Sequence, residues 1–246
     1  MTSPGRIKAV LLCAGLGSRL RPITDSTPKC LVPVAGRPLM DYWFDNLNEA
    51  GIEEVIVNTH WLPEVVEEYL ESRRGLMPHI TTLFEPVLLG SAGTLAACAE
   101  WASDADLVVS LYGDLLVSQK ISSIIDFHRS HEYPFTLSVS HADEPWRRGI
   151  ATVDDSGLVT GFIEKPSNPT SDLAAAGMYV MSPEILQEMV QLRDERGLPL
   201  DLGGDVIPRL INRMKAYYAE GEILDIGTLE AYSEAQDFAR RHHLVR

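Results

Sequence analysis

The sequence has little positive charge and few cysteines. Its 246 residues include 21 lysines and arginines against 35 aspartates and glutamates, which gives a formal net charge of -14 at pH 7. Nucleic acids and anionic membranes would repel such a chain, so the composition argues against both partners. Cys13, Cys30 and Cys98 are odd in number and lack metal-ligand spacing, so we expect reduced, buried thiols.

Long apolar runs are also absent. No segment approaches the length of a membrane span, and the first eight residues, MTSPGRIK, lack the apolar region and cleavage site of a signal peptide. We therefore expect a cytoplasmic protein. The hydrophobic fraction of 45% and the charged fraction of 23% are those of an ordinary globular protein. The length is sufficient for one large α/β domain or two small ones.

Strand-like and helix-like segments alternate in the first half of the chain. The run IKAVLLC is almost continuously apolar, which is typical of a strand buried on both faces. The alternation predicts right-handed βαβ crossovers and a mostly parallel sheet. The predicted strands are Ile7–Cys13, Glu54–Asn58, Ile80–Phe84 and Leu107–Tyr112, and the predicted helices are Pro38–Ala50, Pro63–Ser72, Ala92–Trp101 and Gln119–His131.

After Pro134 the pattern changes to short strand-like segments separated by turn residues. We expect these strands to be partly antiparallel and attached to the same sheet. Helices then begin after Ser182, where a serine precedes a proline, and at Thr228. No linker, repeat or low-complexity segment separates 1–133 from 134–246, so we predict one domain over 1–246. The predicted strands of this half are Phe135–His141, Ile150–Val153, Leu158–Glu164 and Ala174–Met181.

Positive charge is concentrated at the amino terminus, beside two glycines. Dinucleotide-binding loops have a third glycine where this chain has Leu20, and P-loops have Gly-Lys-Ser/Thr, which is absent. The remaining interpretation is a strand followed by a phosphate-binding loop. This loop presents the Gly15 and Gly17 amides to phosphate oxygens, and Arg19 and Lys29 supply positive charge. Residues 1–40 have a local net charge of +5, because six basic residues face one acidic residue, Asp25. The basic residues are Arg6, Lys8, Arg19, Arg21, Lys29 and Arg37.

Two aspartates follow apolar segments far apart in the sequence. Asp114 ends LVVSLYGD, and Asp225 ends ILD directly before a Gly-Thr pair. Ligands of open α/β sheets bind at the carboxyl ends of the strands. A carboxylate pair there is the oxygen-rich site that magnesium prefers, with phosphate oxygens and water as further ligands. Alone, each aspartate also fits a turn or a helix cap.

The string GLGSRLRPITDSTPKCLVPVAGRPL, at 15–39, closely resembles the signature of the sugar-1-phosphate nucleotidylyltransferases. The resemblance implies a Rossmann-like three-layer α/β/α fold with a mixed, mostly parallel sheet. It also implies a reaction in which an NTP and a sugar 1-phosphate give an NDP-sugar and pyrophosphate, with Mg²⁺ as cofactor. Further matching blocks follow in order at Glu85–Gly93, Gly113-Asp114, Glu164-Lys165-Pro166, Ala176–Tyr179 and Asp225–Thr228.

The resemblance and the charge pattern together give three groups of candidate residues. The first half, 1–133, is then the nucleotide-binding half, and 134–246 is the sugar-binding half. The catalytic candidates are Arg19, Lys29, Asp114 and Asp225, of which Asp114 and Asp225 would bind the metal. The nucleotide-binding candidates are Leu12, Ala14, Gly15, Gly17, Ser18, Arg19, Lys29, Glu85, Gly90 and Ser91, and the sugar-phosphate-binding candidates are Gly149, Glu164, Lys165 and Gly177.

The segment FEPVLLGSAGTL favours GTP as the nucleotide. Thymidylyl- and uridylyltransferases of the family commonly have glutamine where this chain has Glu85. A carboxylate only accepts hydrogen bonds, and guanine offers it two adjacent donors, N1–H and the 2-amino group. The GSAG segment beginning at Gly90 resembles the Gly-Thr-Ala-Gly of guanylyltransferases that act on mannose or heptose 1-phosphates.

Several alternatives stay open from the sequence. The chain could be a uridylyl-, thymidylyl- or cytidylyltransferase acting on another sugar or on a non-sugar phosphate. It could also be a catalytically silent, regulatory nucleotide-sugar-binding subunit, although the four catalytic candidates are all present. Ala175 stands where relatives commonly have a sugar-binding asparagine, and Arg147 and Arg148 fit either an anion-reading role or a solvated pair. The aromatic run at 42–44 fits a helix core or a contact in a homo-oligomer.

Overall fold

The structure is a computed structural model that describes residues 5–73 and 79–244. Its strands are β1 (Ile7–Leu12), β2 (Pro33–Val34), β3 (Arg37–Pro38), β4 (Glu54–Thr59), β5 (Ile80–Phe84), β6 (Leu107–Tyr112), β7 (Leu115–Val117), β8 (Phe135–His141), β9 (Gly149–Val153), β10 (Val159–Glu164), β11 (Leu173–Met181), β12 (Met214–Tyr218) and β13 (Ile223–Asp225). Its α-helices are α1 (Leu39–Glu49), α2 (Pro63–Ser72), α3 (Ser91–Ala97), α4 (Ile121–Arg129), α5 (Pro183–Arg196) and α6 (Leu229–Arg241).

The chain divides into two compact units, each built from three separate segments. Unit 1 consists of Met1–Lys8, Leu89–Ser110 and Ser122–Glu220, and unit 2 consists of Ala9–Leu88, Leu111–Ile121 and Gly221–Arg246. Strands β1 and β6 each contribute residues to both units. The unit boundaries do not follow the predicted halves 1–133 and 134–246, and the single domain over 1–246 stays a prediction.

Unit 1 contains most of the antiparallel pairing. Its strands lie in the order β10, β9, β11, β6, and β8 pairs with both β11 and β12. The β9–β10 and β8–β11 pairs are antiparallel, whereas β8 and β12 are parallel. The β8–β11 register shifts between Ala175 and Tyr179, where Gly177 has a φ of 75°. An irregularity of this kind bends a strand and redirects its side chains.

Unit 2 contains strands in the order β1, β4, β5, with β4 and β5 parallel. Two small antiparallel pairs, β2–β3 and β7–β13, lie in the same unit. Strand β1 is buried along its middle, as its apolar sequence predicts. With its helices and its mixed, mostly parallel sheet, the chain has the predicted Rossmann-like α/β fold class, which is confirmed.

The predicted helix ends differ from those of the structure by a few residues. Helix α3 ends at Ala97 and not at Trp101, because the hydrogen bonding tightens there: the Cys98 amide donates to both the Thr94 and the Leu95 carbonyls, and the Ala99 amide donates to the Ala96 carbonyl at 3.3 Å. Helix α4 begins at Ile121 and not at Gln119, because the Asn46 side chain caps it. Asn46 Oδ1 accepts from the Ile121 amide at 2.8 Å, and Asn46 Nδ2 donates to the Gln119 carbonyl at 2.8 Å. No described helix combines the length and the apolar character needed to span a bilayer.

A buried cluster in unit 2 supports the segments that carry the candidate residues. Leu20 follows Arg19, Leu116 lies two residues after Asp114, and Ile226 follows Asp225. All three pack with α6, whose first turn is capped by Thr228 Oγ1 accepting from the Ala231 amide at 3.2 Å. The position of these functional segments therefore depends on apolar packing. The buried members are Leu20, Val32, Val34, Leu39, Tyr42, Leu116, Ile226, Ala235, Phe238 and Ala239.

We predict that Phe238→Ala lowers the free energy of unfolding by about 3–5 kcal/mol, because it removes a buried aromatic ring and leaves a cavity. Urea denaturation followed by circular dichroism measures the change. Glu234→Ala, on the exposed side of the same helix, is the matched control and should change stability by less than about 0.5 kcal/mol. Equal stability of the two variants would show that α6 does not support the cluster.

Candidate active site

The glycine loop begins where β1 ends. Leu12 is half-buried and Ala14 is buried, while Gly15 is exposed and has open space around its Cα. Gly17 adopts a left-handed conformation with a φ of 62°, and its carbonyl accepts a hydrogen bond from Thr24 Oγ1 at 2.7 Å. The loop is therefore fixed at Gly17, and its Gly15 end is open to a ligand.

Ser18 and Arg19 are exposed in a short 3₁₀ helix that follows the loop. Within residues 5–73 and 79–244, Arg19 forms no ion pair. One guanidinium nitrogen lies 3.0 Å from the point where a Cβ on Gly227 would stand, and Asp225 Oδ1 lies at the same distance from that point. A glycine at 227 thus allows Arg19 to approach the Asp225 segment, and leaves a cation available to an anionic ligand.

Lys29 joins the two aspartates. Its Nζ lies 2.6 Å from Asp114 Oδ2 and 3.7 Å from Asp225 Oδ1. The Lys29 side chain is only 9% exposed, whereas the aspartates are 35% and 34% exposed. The β7–β13 pairing places Asp225 opposite Leu115, and the Ile226 amide donates to the Asp114 carbonyl at 3.0 Å. The structure thus brings together three of the four catalytic candidates, and Arg19 lies beside them.

Gly113 is required by a close approach of the backbone. A Cβ at this position would lie 2.5 Å from Cys13 Sγ and 3.0 Å from the Leu12 carbonyl oxygen. The Gly113 amide donates to that carbonyl at 2.9 Å, which fixes the turn that carries Asp114. The turn and the loop enclose a small cavity of about 40 Å³, lined by Leu12, Cys13, Gly15, Lys29, Cys30, Tyr112, Gly113 and Asp114.

The donor set fits a divalent cation that takes most of its ligands from elsewhere. Among the described residues, no group of three or more His, Cys, Asp or Glu side chains could hold a metal ion alone. Asp114 and Asp225 supply two carboxylates, and Asp225 Oδ1 is buried without a hydrogen-bond partner in the described part of the chain. Mg²⁺ prefers one or two carboxylates together with phosphate oxygens and water. The residues present therefore fit Mg²⁺ bound together with a phosphorylated substrate.

Glu85 lies in a buried polar chain at the ends of β1, β4 and β5. Its side chain is 1% exposed, and its Oε1 accepts from Asn58 Nδ2 at 2.8 Å. Asn58 Oδ1 in turn accepts from the Cys13 amide at 2.5 Å, so the chain reaches the start of the glycine loop. Asn58 was missed by the sequence reasoning. The sequence contains the same signal for Asn58 as for Asp114, because each is a polar residue near the carboxyl end of an apolar strand.

Gly90 and Ser91 lie in unit 1, where they contact the segment around Leu200. The Ala92 amide donates to the Leu200 carbonyl at 3.0 Å, and a Cβ on Gly90 would lie 2.2 Å from the same oxygen. Ser91 Oγ donates to Asp201 Oδ2 at 3.1 Å and accepts from the Leu202 amide at 2.8 Å. These contacts fix the beginning of α3.

Glu164 and Gly149 face each other across the β9–β10 pair of unit 1. A Cβ on Gly149 would lie 2.7 Å from Glu164 Oε2 and 2.2 Å from the Phe162 ring, so a side chain there would displace both groups. Burial raises the pKa of Glu164, the Lys165 ammonium opposes this rise, and the Asp201 carboxylate adds to it. Lys165 is mostly exposed, with Nζ 3.4 Å from Glu164 Oε1. A half-buried carboxylate and an exposed cation that pairs with it thus occupy adjacent positions.

The remaining residues of the predicted sugar pocket lie in the same unit. Gly177 forms the irregularity in β11, and the partly exposed Ala175 precedes it. Arg147 pairs with Glu144 at 3.2 Å, which fits the solvated alternative for that residue. Arg148 is half-buried and, among the described residues, has no ion-pair partner.

The sequence of the chain is similar to curated proteins from archaea and bacteria. The low-salt glycan biosynthesis nucleotidyltransferase Agl11 of Haloferax volcanii is 34% identical over 233 residues, covering 93% of this chain and 65% of the relative. The mannose-1-phosphate guanylyltransferase of Mycobacterium tuberculosis is 30% identical over 231 residues, covering 92% of this chain and 63% of the relative. The chain spans slightly less than two thirds of the length of these relatives.

The fold and the family agree with these similarities. A crystal structure of a Bacillus anthracis protein in complex with sucrose superposes with a TM-score of 0.82 at 24% identity, covering 95% of both chains, which shows a shared fold. The family model described as nucleotidyl transferase matches residues 8–242. The resemblance stated from the motifs is thereby confirmed: this chain belongs to the nucleotidyl transferase family.

Proposed function

We propose that this chain transfers a nucleoside monophosphate from an NTP, with GTP preferred, to a sugar 1-phosphate, giving an NDP-sugar and pyrophosphate. The observation that carries the proposal is the Lys29 ammonium, 2.6 Å from Asp114 and 3.7 Å from Asp225, in a cavity that begins at the glycine loop. Cations, carboxylates and open backbone amides at one place are what a metal-bound polyphosphate requires.

The chemical problem is the repulsion between two polyanions. The sugar phosphate oxygen attacks the α-phosphorus of the NTP, and pyrophosphate leaves in line. This step needs positioning and charge neutralisation and no protein nucleophile. Arg19 and Lys29 would bind the triphosphate and stabilise the charge that develops on the leaving group. No general base is needed, because the attacking phosphate oxygen is already ionised near neutral pH.

Asp114 and Asp225 would hold Mg²⁺. When bound, the ion neutralises phosphate charge and orients the phosphate oxygens. Lys29 keeps the two carboxylates close together in the described structure, because its ammonium offsets their mutual repulsion. It also supplies a second positive charge for the same oxygens.

Unit 1 would bind the sugar phosphate. Glu164 accepts hydrogen bonds from sugar hydroxyls, and Lys165 pairs with the phosphate. Gly149 and Gly177 allow the backbone to approach the sugar. Ala175 has no side-chain amide. The substrate is therefore expected to make fewer polar contacts at this position than the substrate of a relative that has asparagine there.

GTP is favoured by Glu85. The names of the relatives do not decide the base, because the mycobacterial relative is a mannose-1-phosphate guanylyltransferase and a Synechocystis relative is a UTP–glucose-1-phosphate uridylyltransferase. A carboxylate has about four acceptor sites. Because the Glu85 side chain is 1% exposed, guanine would have to displace the residues that cover it in order to bind there. The Asn58 contact orients this carboxylate, which reduces the cost of ordering it on binding.

The test of the proposed function is a matrix of four NTPs against a panel of sugar 1-phosphates, with pyrophosphate release as the readout. We expect Mg²⁺-dependent turnover that is fastest with GTP. Amino-alcohol phosphates are included as acceptors, because the fold class also fits transfer to non-sugar phosphates. Turnover with UTP or dTTP and none with GTP would contradict the proposed base, and no turnover with any pair would contradict the reaction.

Asp114→Asn and Lys29→Met should each lower kcat/KM by about 100-fold or more, because each removes a charge that acts on the reacting phosphates. The activity of Asp114→Asn should also lose most of its dependence on Mg²⁺ concentration. This loss distinguishes a metal ligand from a purely structural residue. Asp155→Asn, at an exposed turn of unit 1, is the control. Activity equal to the control in either variant would remove that residue from the mechanism.

Glu85→Gln should change the base preference. Glutamine presents one acceptor and one amide donor group, which suits the N–H and carbonyl of uracil or thymine better than the two donors of guanine. We expect kcat/KM for GTP to fall by about 10-fold to 100-fold relative to that for UTP or dTTP. Glu53→Gln is an exposed control. A uniform loss with all four NTPs would show that Glu85 positions the loop without reading the base.

A further inference from the structure

Two of the three cysteines stand at the ends of the glycine loop. Cys13 directly follows β1, and Cys30 lies in the short 3₁₀ turn Lys29–Leu31. Every loop residue assigned to phosphate binding, from Ala14 to Lys29, lies between them in the sequence. A covalent bond between the two sulfurs would close this loop into a ring.

The two cysteines line the same small cavity. Cys13 and Cys30 both line the 40 Å³ cavity beside Lys29 and Asp114. Cys13 Sγ lies against Gly113, since a Cβ there would be only 2.5 Å from the sulfur, so the Cys13 side chain has little room to turn away. Cys13 is half-buried and Cys30 is buried. Cys98, the third cysteine, is buried in unit 1.

We propose that Cys13 and Cys30 form a redox-sensitive pair, in which a hydroperoxide small enough to enter this cavity converts the two thiols into a disulfide that constrains the phosphate-binding loop. The disulfide is inferred from the position of both cysteines on one small cavity. Its effect on nucleotide binding rests on the proposed function.

The reaction balances with one peroxide for two thiols. The Cys13 sulfur attacks one peroxide oxygen. The O–O bond breaks, and water (or an alcohol, from an organic hydroperoxide) leaves, giving a sulfenic acid. The Cys30 sulfur then attacks the Cys13 sulfur, the S–O bond breaks and water leaves, forming the S–S bond. The two thiols are oxidised by two electrons, and the peroxide is reduced by two.

The environment of the pair makes this oxidation slow. Burial raises the pKa of the Cys13 thiol, and the hydrogen bond to the Cys30 thiol adds to the rise. Because the thiolate is the reactive form, Cys13 should respond to sustained peroxide and not to traces. The pair is therefore expected to be reduced under ordinary intracellular conditions.

The consequence for the site follows from the sequence order. Cys30 is the neighbour of Lys29, whose Nζ is 2.6 Å from Asp114 Oδ2. An S–S bond of about 2.0 Å is shorter than any thiol–thiol contact, so the Lys29 turn has to shift toward β1. Misplacement of a positioning group by about 1 Å can cost a reaction on the order of 100-fold. Oxidation should thus weaken nucleotide binding and slow turnover.

The experiment treats the full chain with millimolar hydrogen peroxide, removes the peroxide, unfolds the protein in the presence of N-ethylmaleimide to block the remaining thiols, and maps tryptic peptides by mass spectrometry. Trypsin cleaves after Arg19 and Lys29, so Cys13 and Cys30 lie on separate peptides unless they are joined. We expect a Cys13–Cys30 cross-linked peptide, with Cys98 alkylated. GTP binding and turnover should fall by about 10-fold to 100-fold and recover with dithiothreitol.

Cys13→Ala and Cys30→Ala should each abolish the cross-link. They should also abolish the effect of peroxide, which is measured as the activity of the oxidised protein divided by the activity of the same variant when reduced. Cys98→Ala is the matched control and should behave like the wild type. Absence of the cross-linked peptide, or a cross-link that leaves GTP binding and turnover unchanged, would overturn the inference. If the reduced protein shows no turnover with any NTP, the proposed function fails, while the cross-link is still tested by its mass.

Discussion

The ion pairing of Lys29 with Asp114 and Asp225 is the interaction on which the candidate site depends. Lys29 is almost completely buried, and a buried ammonium is stable only with a counter-charge. The two carboxylates would repel each other at this distance without it. The charge of one side chain therefore holds together the end of the glycine loop, the turn after β6 and the end of β13. The same three groups are the ones that a metal-bound triphosphate would contact.

Backbone proximity is the second constraint. At Gly113 a side chain would collide with Cys13 Sγ, and at Gly149 it would collide with Phe162 and Glu164. Both glycines stand next to a segment that carries a proposed ligand-binding group, so the space for the ligand is created partly by the absence of side chains.

The sequence predicted most of the fold, because apolar periodicity depends on local burial. The strand IKAVLLC and the helix that follows Pro38 were placed to within one residue. One error arose where a group distant in the sequence decided an end, because the Asn46 side chain caps α4. Another arose where the hydrogen bonding tightens after Ala97 and ends α3. The short strand β12 was missed, because a few residues that pair with a distant strand give no periodic signal.

By itself the sequence determined the fold class, the family motifs and the residue types of the site: glycines after a strand, two cations and two aspartates. Only the tertiary structure decided which of them meet. It placed Lys29 between Asp114 and Asp225, linked Glu85 through Asn58 to the Cys13 amide, and placed Cys13 and Cys30 on one cavity. The physical reason is that motif spacing encodes local backbone geometry, whereas charge pairing and thiol contact depend on strands that become neighbours only after folding.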